Sequence, residues 1–371
     1  NTGVYVHDGT TEFDITPVSG WTGDDTATFT SCVLNGIAYV NASDRDPCYW
    51  AGLTGAPCEL LPDWPVNGRC VALRAHKNFL FGVGFISEGG QRVRWSDAAE
   101  AGTVPQFWTP AADNLAGFVD LAPLSSPCLD GEDLRDSFLI YKNEGIWSFD
   151  FVGGNAVFSA RSLFAEHGVV NTNAITRVID DVHLFVASEG DVFITDGVRV
   201  QSVLDGRAQR TFYDDFTQNP DQVFSATTLA REKLGFIIYP QTGTTVSRCL
   251  VYDFASGDIG FREMPEVFCA GEGSKLSALG GAVNLWDGDD GQWDSDGGSW
   301  PFELTTGTLD DVLIGGSFGF ALLSDPGADD FLTGPVQARL EKSGISFGDP
   351  QSRKMITRVW PKVTGRSGDV L

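Results

Sequence analysis

Gly315-Gly316-Ser317-Phe318-Gly319 has the G-x-S-x-G spacing of a nucleophile elbow, a sharp strand-to-helix turn that exposes a serine hydroxyl to attack a carbonyl. Such a serine needs a histidine base held by an acid, and the chain has four histidines, His7, His76, His167 and His183. No helical periodicity follows Gly319, so the segment reads as a turn feeding the strand Phe318-Gly319-Phe320-Ala321-Leu322-Leu323. A second group is the Trp-punctuated acidic stretch from Asn284 to Trp300, where Asp287, Asp289, Asp290, Asp294 and Asp296 could hold calcium through carboxylate and carbonyl oxygens. Asp294 to Trp300 falls one residue short of an Asp-box turn and lacks the Glu that closes an EF-hand loop, so an exposed turn is the simpler of the two readings. A glycosidase pair of carboxylates about 5 to 9.5 Å apart can always be imagined among 50 acidic residues, so the count alone carries no information. Histidine-glutamate metal motifs and phosphate-cradling glycine loops are absent, and the expectation is no catalysis, no metal and no cofactor.

Charge supplies a third candidate site. With 25 Lys and Arg against 50 Asp and Glu, the formal charge is −25, and such a surface repels phosphate. General nucleic-acid binding is disfavoured. The acidity serves solubility, and would equally suit the wall of a conduit through which DNA slides without sticking. Against that background Arg339, Lys342, Arg353, Lys354, Arg358, Lys362 and Arg366 face only Glu341 and Asp349. This basic segment is expected to pack on an acidic surface of its own chain or a neighbour, which makes those seven cations subunit-interface candidates; a solvated strand pair is the plainer alternative.

The elements that must position these groups are strands. The chain has 44 Gly, 17 Pro, 26 Phe and 10 Trp but 2 Met, which suits pleated, half-buried surfaces punctuated by turns. Short alternating runs end at Gly, Asn-Gly or Asp-Gly: Val4-Tyr5-Val6 leads to Asp8-Gly9, Asn35-Gly36 divides two apolar runs, and Phe79 to Val83 follows His76-Lys77-Asn78. Asn-Gly predicts a hairpin, because a type I′ turn needs positive φ at both central positions. Val4-Tyr5-Val6-His7-Asp8-Gly9 aligns with Val192-Phe193-Ile194-Thr195-Asp196-Gly197, and Ile146-Trp147-Ser148-Phe149-Asp150 fits the same frame. The last two begin about 46 residues apart, within the roughly 40 to 50 residues of a four-stranded propeller blade. Chance matching of short β patterns is the competing explanation. The expected fold is all-β, a β-propeller of six or seven blades over residues 1–330 with helix confined to short turns, followed by a β-rich C-terminal extension over 331–371. Seven cysteines, Cys32, Cys48, Cys58, Cys70, Cys128, Cys249 and Cys269, form no CxxC pair and exclude a complete disulfide framework. Reduced, partly buried thiols are expected, with one bridge among the first four left open. No apolar run is long enough to span a membrane.

Leu134-Arg135-Asp136-Ser137-Phe138-Leu139-Ile140-Tyr141-Lys142, then Phe151-Val152-Gly153-Gly154 and Phe158, resembles a family of tailed-bacteriophage structural proteins related to tail nozzle, hub or stabilisation proteins. His167-Gly168, Asp191 to Gly197, Asp205-Gly206-Arg207, Arg94-Trp95-Ser96-Asp97, Phe107-Trp108, Leu250-Val251-Tyr252-Asp253-Phe254 and the closing Ile356 to Gly365 resemble the same family. The resemblance implies a propeller protomer in a homo-oligomeric ring, commonly six-fold, that continues the DNA channel and docks other tail or adaptor proteins. It implies assembly in the bacterial host cytoplasm, residence in the virion tail, genomic DNA passing without specific binding, and no membrane partner. The family usually carries another strand after the point where this chain stops at Leu371, so missing ends are expected. The alternative from the residues is a carbohydrate-binding or glycan-cleaving propeller, a lectin or glycosidase gripping sugar with exposed Trp and Asp.

Overall fold

The computed structural model describes residues 3–7, 12–21, 27–53, 55–154, 156–179, 182–204, 206–217, 224–241, 247–276, 308–316, 319–322, 330–331 and 334–335. All belong to one unit, Asn1–Pro335. A short hairpin, β1 (Tyr5–His7) and β2 (Glu12–Asp14), precedes the first sheet, β3 (Phe29–Leu34), β4 (Ile37–Ala42), β5 (Cys48–Trp50) and β6 (Glu59–Leu60). The second sheet is β7 (Cys70–His76), β8 (Phe79–Phe85), β9 (Arg92–Trp95) and β10 (Gly117–Asp120). The third is β11 (Cys128–Leu134), β12 (Ser137–Lys142), β13 (Ile146–Phe151) and β14 (Phe158–Phe164). The fourth is β15 (Ile175–Ile179), β16 (Val182–Val186), β17 (Val192–Thr195) and β18 (Val200–Ser202). After helix α1 (Gly206–Thr217) comes the fifth, β19 (Ser225–Leu229), β20 (Leu234–Pro240), β21 (Ser247–Asp253) and β22 (Ile259–Met264). A three-stranded sheet, β23 (Val267–Leu276), β24 (Thr308–Gly316) and β25 (Gly319–Leu322), follows, and β26 (Asp330–Phe331) pairs with β27 (Gly334–Pro335).

Each four-stranded sheet is an antiparallel meander, and the first strand of every sheet packs beside the first strand of the next, from β3 through β7, β11, β15 and β19 to β23. That is a β-propeller arrangement, with the first strands innermost. The number of blades differs from the expected six or seven: among the described residues, five sheets have all four strands. The repeat motifs do not all mark blades. Ile146 and Val192 do begin equivalent third strands, β13 and β17, whereas the Val4 copy lies in the hairpin before the first blade.

The core lies between blades. In β8 all seven residues are buried. Phe79, Phe81 and Val83 pack with Phe138, Phe149 and Phe158 of the third sheet, while Leu80 and Phe85 pack with Leu34, Tyr39 and Trp108 on the other side. Alternation separates Leu80 from Phe79, Phe81 and Val83, the left-handed Gly84 at φ 69° breaks it so that Phe85 joins the Leu80 side, and burying each such side chain contributes roughly 1.5 to 3 kcal/mol. Gly84 lets this strand approach the third sheet, because a Cβ there would sit 2.2 Å from the Cys128 carbonyl oxygen. The Asn35-Gly36 hairpin has positive φ at both positions, 54° and 83°, as the sequence predicts. The helix α1 corrects the expectation of helix only in short turns. It has 12 residues and tucks Phe212 against Phe224 and Tyr239. Ala208, Phe212 and Phe216 stand at i, i+4 and i+8 in the sequence, a short helical stripe between polar neighbours that reads there as part of a turn.

Candidate functional site

The innermost strands bring polar side chains together from sheets far apart in sequence. Arg74 on β7 and Asp130 on β11 form a two-point ion pair, Nε to Oδ1 at 2.7 Å and Nη2 to Oδ2 at 2.8 Å. Their side chains are 17% and 2% exposed. Arg74 Nη2 also donates to Asn173 Oδ1 at 2.9 Å, and Nη1 to the Ser31 carbonyl at 3.3 Å. Asn173, just before β15, has φ 64°, a left-handed conformation that Asn tolerates. From there its N–H donates to Asp130 Oδ2 at 2.9 Å, its Nδ2 to the Phe29 carbonyl at 2.9 Å, and its carbonyl accepts the Ala226 N–H at 2.8 Å. Five first-strand regions, those of β3, β7, β11, β15 and β19, therefore meet through three residues, Arg74, Asp130 and Asn173.

Asp130 also accepts the Gly131 N–H at 2.8 Å, which makes four donors to one carboxylate. A carboxylate has about four acceptor sites, so Asp130 has none left for a substrate or metal. Burial works against the charge on Arg74, but Asp130 outweighs it and holds the guanidinium pKa above its ordinary value. Further pins continue the pattern outward. The Leu73 N–H donates to Thr30 Oγ1 at 3.0 Å, the Ala270 N–H to Ser225 Oγ at 2.8 Å, and Thr228 Oγ1 to Glu272 Oε1 at 2.6 Å.

Glu132, two residues along β11 and so on the same face as Asp130, is the titratable member of the cluster. Desolvation raises its carboxyl to about 7, with Asp133 and Asp130 adding to the rise and Arg74 opposing it. Such a group is half-protonated near neutrality and could act as a general acid or base. Its nearest carboxylate on that face is committed to Arg74, so the paired-carboxylate arrangement of a glycosidase is not assembled there.

Two histidines, His76 and His183, meet at Asp133. His76 Nδ1 meets Asp133 Oδ1 at 2.6 Å, with its ring stacked on Phe138. His183 is fully buried, and desolvation pushes it down to about 4, so it is neutral at pH 7. Its Nε2 lies 2.7 Å from the Asp133 carbonyl, which can only accept, so that nitrogen carries the proton and Nδ1 accepts from Tyr141 O–H at 2.9 Å. His167 meets Glu189 at 2.7 Å on the surface. Sequence reading singled out none of Arg74, Asp130, Glu132 or Asn173. Their signal is spatial, since Asn173 reaches Phe29 across 144 positions of chain.

Ser317 and Phe318 lie outside the described residues, but the flanking strands β24 and β25 pair antiparallel with Gly316 opposite Gly319, so the elbow lacks its strand-to-helix setting. The acidic loop with Asp287 to Asp296 and the basic residues Arg339, Lys342, Arg353, Lys354, Arg358, Lys362 and Arg366 also lie outside the described residues. Among the described residues no group of three His, Cys, Asp or Glu side chains is placed to hold a metal ion. Two open depressions flank the third and fourth sheets, one lined by Leu163, Phe164, His167 and Val200, the other by Leu134, Ser137, Arg161 and Val198.

No family model and no curated protein matches the chain. Solved structures similar to it include the WD40 β-propeller domain of Doa1, at 10% identity over 86% of this chain and 84% of that one, with a TM-score of 0.44. A Bacteroides uniformis protein provisionally assigned as a 6-phosphogluconolactonase shows 12% identity over 62% and 68% of the two chains, TM-score 0.40. YCF48 from Cyanidioschyzon merolae shows 10% identity over 57% and 66%, TM-score 0.36. All three likenesses are loose, and none speaks to activity or partners.

Proposed function

We propose that the chain is a non-catalytic structural subunit of a bacteriophage tail, built into a homo-oligomeric ring, six-fold in the first instance, that continues the DNA channel and docks other tail or adaptor proteins. The observation that carries the structural half of this reading is the saturation of Asp130 by four donors at the meeting point of five sheets. A propeller enzyme needs unsatisfied groups at its axis, whereas a ring subunit needs a rigid block there. The phage half comes from the resemblance of the stretch from Leu134 to Phe216, with the motifs on either side of it, to tail nozzle, hub or stabilisation proteins. In this reading β23–β25 is a sixth blade, supported by the packing of β23 on β19 in the same way that β19 packs on β15. The seven basic residues from Arg339 to Arg366 supply an interface with acidic neighbouring surface, and the charge of −25 keeps passing DNA from sticking. The protein is then assembled in the host cytoplasm and carried in the virion tail.

A glycan-binding or glycan-cleaving propeller is the second reading, and Glu132, with its carboxyl near 7, is the observation in its favour. Mass photometry of the full chain, paired with retention on a glycan column, separates the two. The proposal predicts a ring several times the 39.9 kDa protomer and no retention. Reversing Arg353, Lys354 and Arg358 to Glu then weakens the ring, more at low salt than at high salt. A monomer that a glycan retains, or that turns a glycan over, overturns the structural reading.

A further inference from the structure

Cys48 opens β5, and Cys58 stands immediately before β6. Cys48 pairs opposite Leu60 and Tyr49 opposite Glu59, which sets position 58 across from Trp50. Trp50 is two residues from Cys48, so the two cysteines share one face of the sheet. Both are buried in one apolar cluster with Ile15, Trp21 and Ala42 under the N-terminal hairpin. Their mutual interaction raises the Cys48 thiol and lowers that of Cys58. Cys70, the nearest cysteine on β7, instead donates to Asn41 Oδ1 at 3.4 Å. The connection between the two strands is exposed at Gly52, Leu53 and Gly55, and both glycines have positive φ with open space around them. The Cys58 N–H donates to the Ile15 carbonyl at 2.8 Å, so reaching its thiol also means lifting the N-terminal hairpin from the edge of the sheet.

We propose that Cys48 and Cys58 form an oxidative cross-linking site, which closes to a disulfide on exchange with a small-molecule disulfide such as oxidised glutathione. Cys58 gives up its proton and its sulfur attacks one sulfur of glutathione disulfide, breaking that S–S bond and releasing one glutathione thiolate. Cys48 Sγ then loses its proton and attacks the Cys58 sulfur of the mixed disulfide, and the second glutathione thiolate leaves. The protein loses two electrons and two protons, and both end on two molecules of reduced glutathione. The bridge ties β5 to β6 at the outer edge of the first blade, where pairing is shortest.

The test equilibrates the native full chain with rising ratios of oxidised to reduced glutathione, quenches with acid, alkylates and maps peptides by mass spectrometry. The expected result is a Cys48–Cys58 linked peptide, reversed by reductant, with a rise in Tm of about 5 °C. Exposed Cys269 serves as an internal control by taking up glutathione as a mixed disulfide. Cys58→Ser loses both the link and the Tm rise, while Cys269→Ser keeps both. The proposal is overturned if Cys48 and Cys58 are recovered as free thiols, or linked to other cysteines, at ratios that fully modify Cys269. The peptide map of the unaltered protein decides this even if the Cys58 variant does not fold.

Discussion

Two arginine–aspartate pairs of almost the same geometry sit at opposite ends of the second sheet. Arg74 and Asp130 bond at 2.7 and 2.8 Å on the innermost strands, with Asp130 only 2% exposed. Arg92 and Asp120 bond at 2.6 and 2.7 Å on β9 and β10 at the outer edge, where Asp120 is 47% exposed. Bond length does not distinguish them, but surroundings do. Water competes for Asp120, and Arg92 has a second partner in Glu88 at 3.0 Å and the Phe118 ring beneath it. Asp130 has no water-facing side and joins three further sheets through Asn173. The inner pair is therefore a joint between blades and the outer one a local brace within a blade.

The largest effect should follow from Asp130→Ala, which strands the Arg74 charge and releases the Asn173 and Gly131 N–H groups. A loss of about 3 to 5 kcal/mol is expected from denaturant unfolding, enough to threaten folding at 37 °C. Glu132→Gln should have a smaller effect of opposite sign that depends on pH. The folded carboxyl titrates near 7 against 4.5 for an unperturbed one, so between those values the native state holds a proton the unfolded chain has lost. Stability from this group falls as pH rises from 4.5 to 7. The variant should then match the parent at pH 4.5 and exceed it by about 1 to 3 kcal/mol at pH 8. His183 works in the other direction: its folded value near 4 lies below 6.5, so its contribution is lost as pH falls through that window. Removing Glu132 should unmask that opposing slope in the pH dependence of Tm. Asp120→Ala, at the outer edge, should cost about 1 kcal/mol or less and shrink further in high salt.

The strands and their turns were legible in the sequence because their determinants are local. Asn35-Gly36 specifies its hairpin, and Phe79 to Val83 reads as a strand whether or not its neighbours are known. The spacing of Ile146 and Val192 gave the blade period because both begin third strands. Blade number was harder to read, since the Val4 copy belongs to a hairpin outside the complete blades. The axial cluster was illegible for a different reason. Arg74, Asp130 and Asn173 carry no spacing rule, and only ring-wise packing of first strands brings them into contact. Histidines and an elbow-like serine drew attention through residue type, yet His183 is a buried neutral hydrogen-bonding link between Tyr141 and Asp133.

A double-mutant cycle on Arg74 and Asp130, run beside one on Arg92 and Asp120, measures most directly whether the axis is a joint. The single and double alanine variants would be unfolded in urea and the coupling energies compared. The expected result is a coupling of about 2 to 3 kcal/mol for the inner pair and about 0.5 kcal/mol for the outer. Equal couplings, or an inner coupling near zero, would contradict the view that this propeller uses its axis to lock blades together.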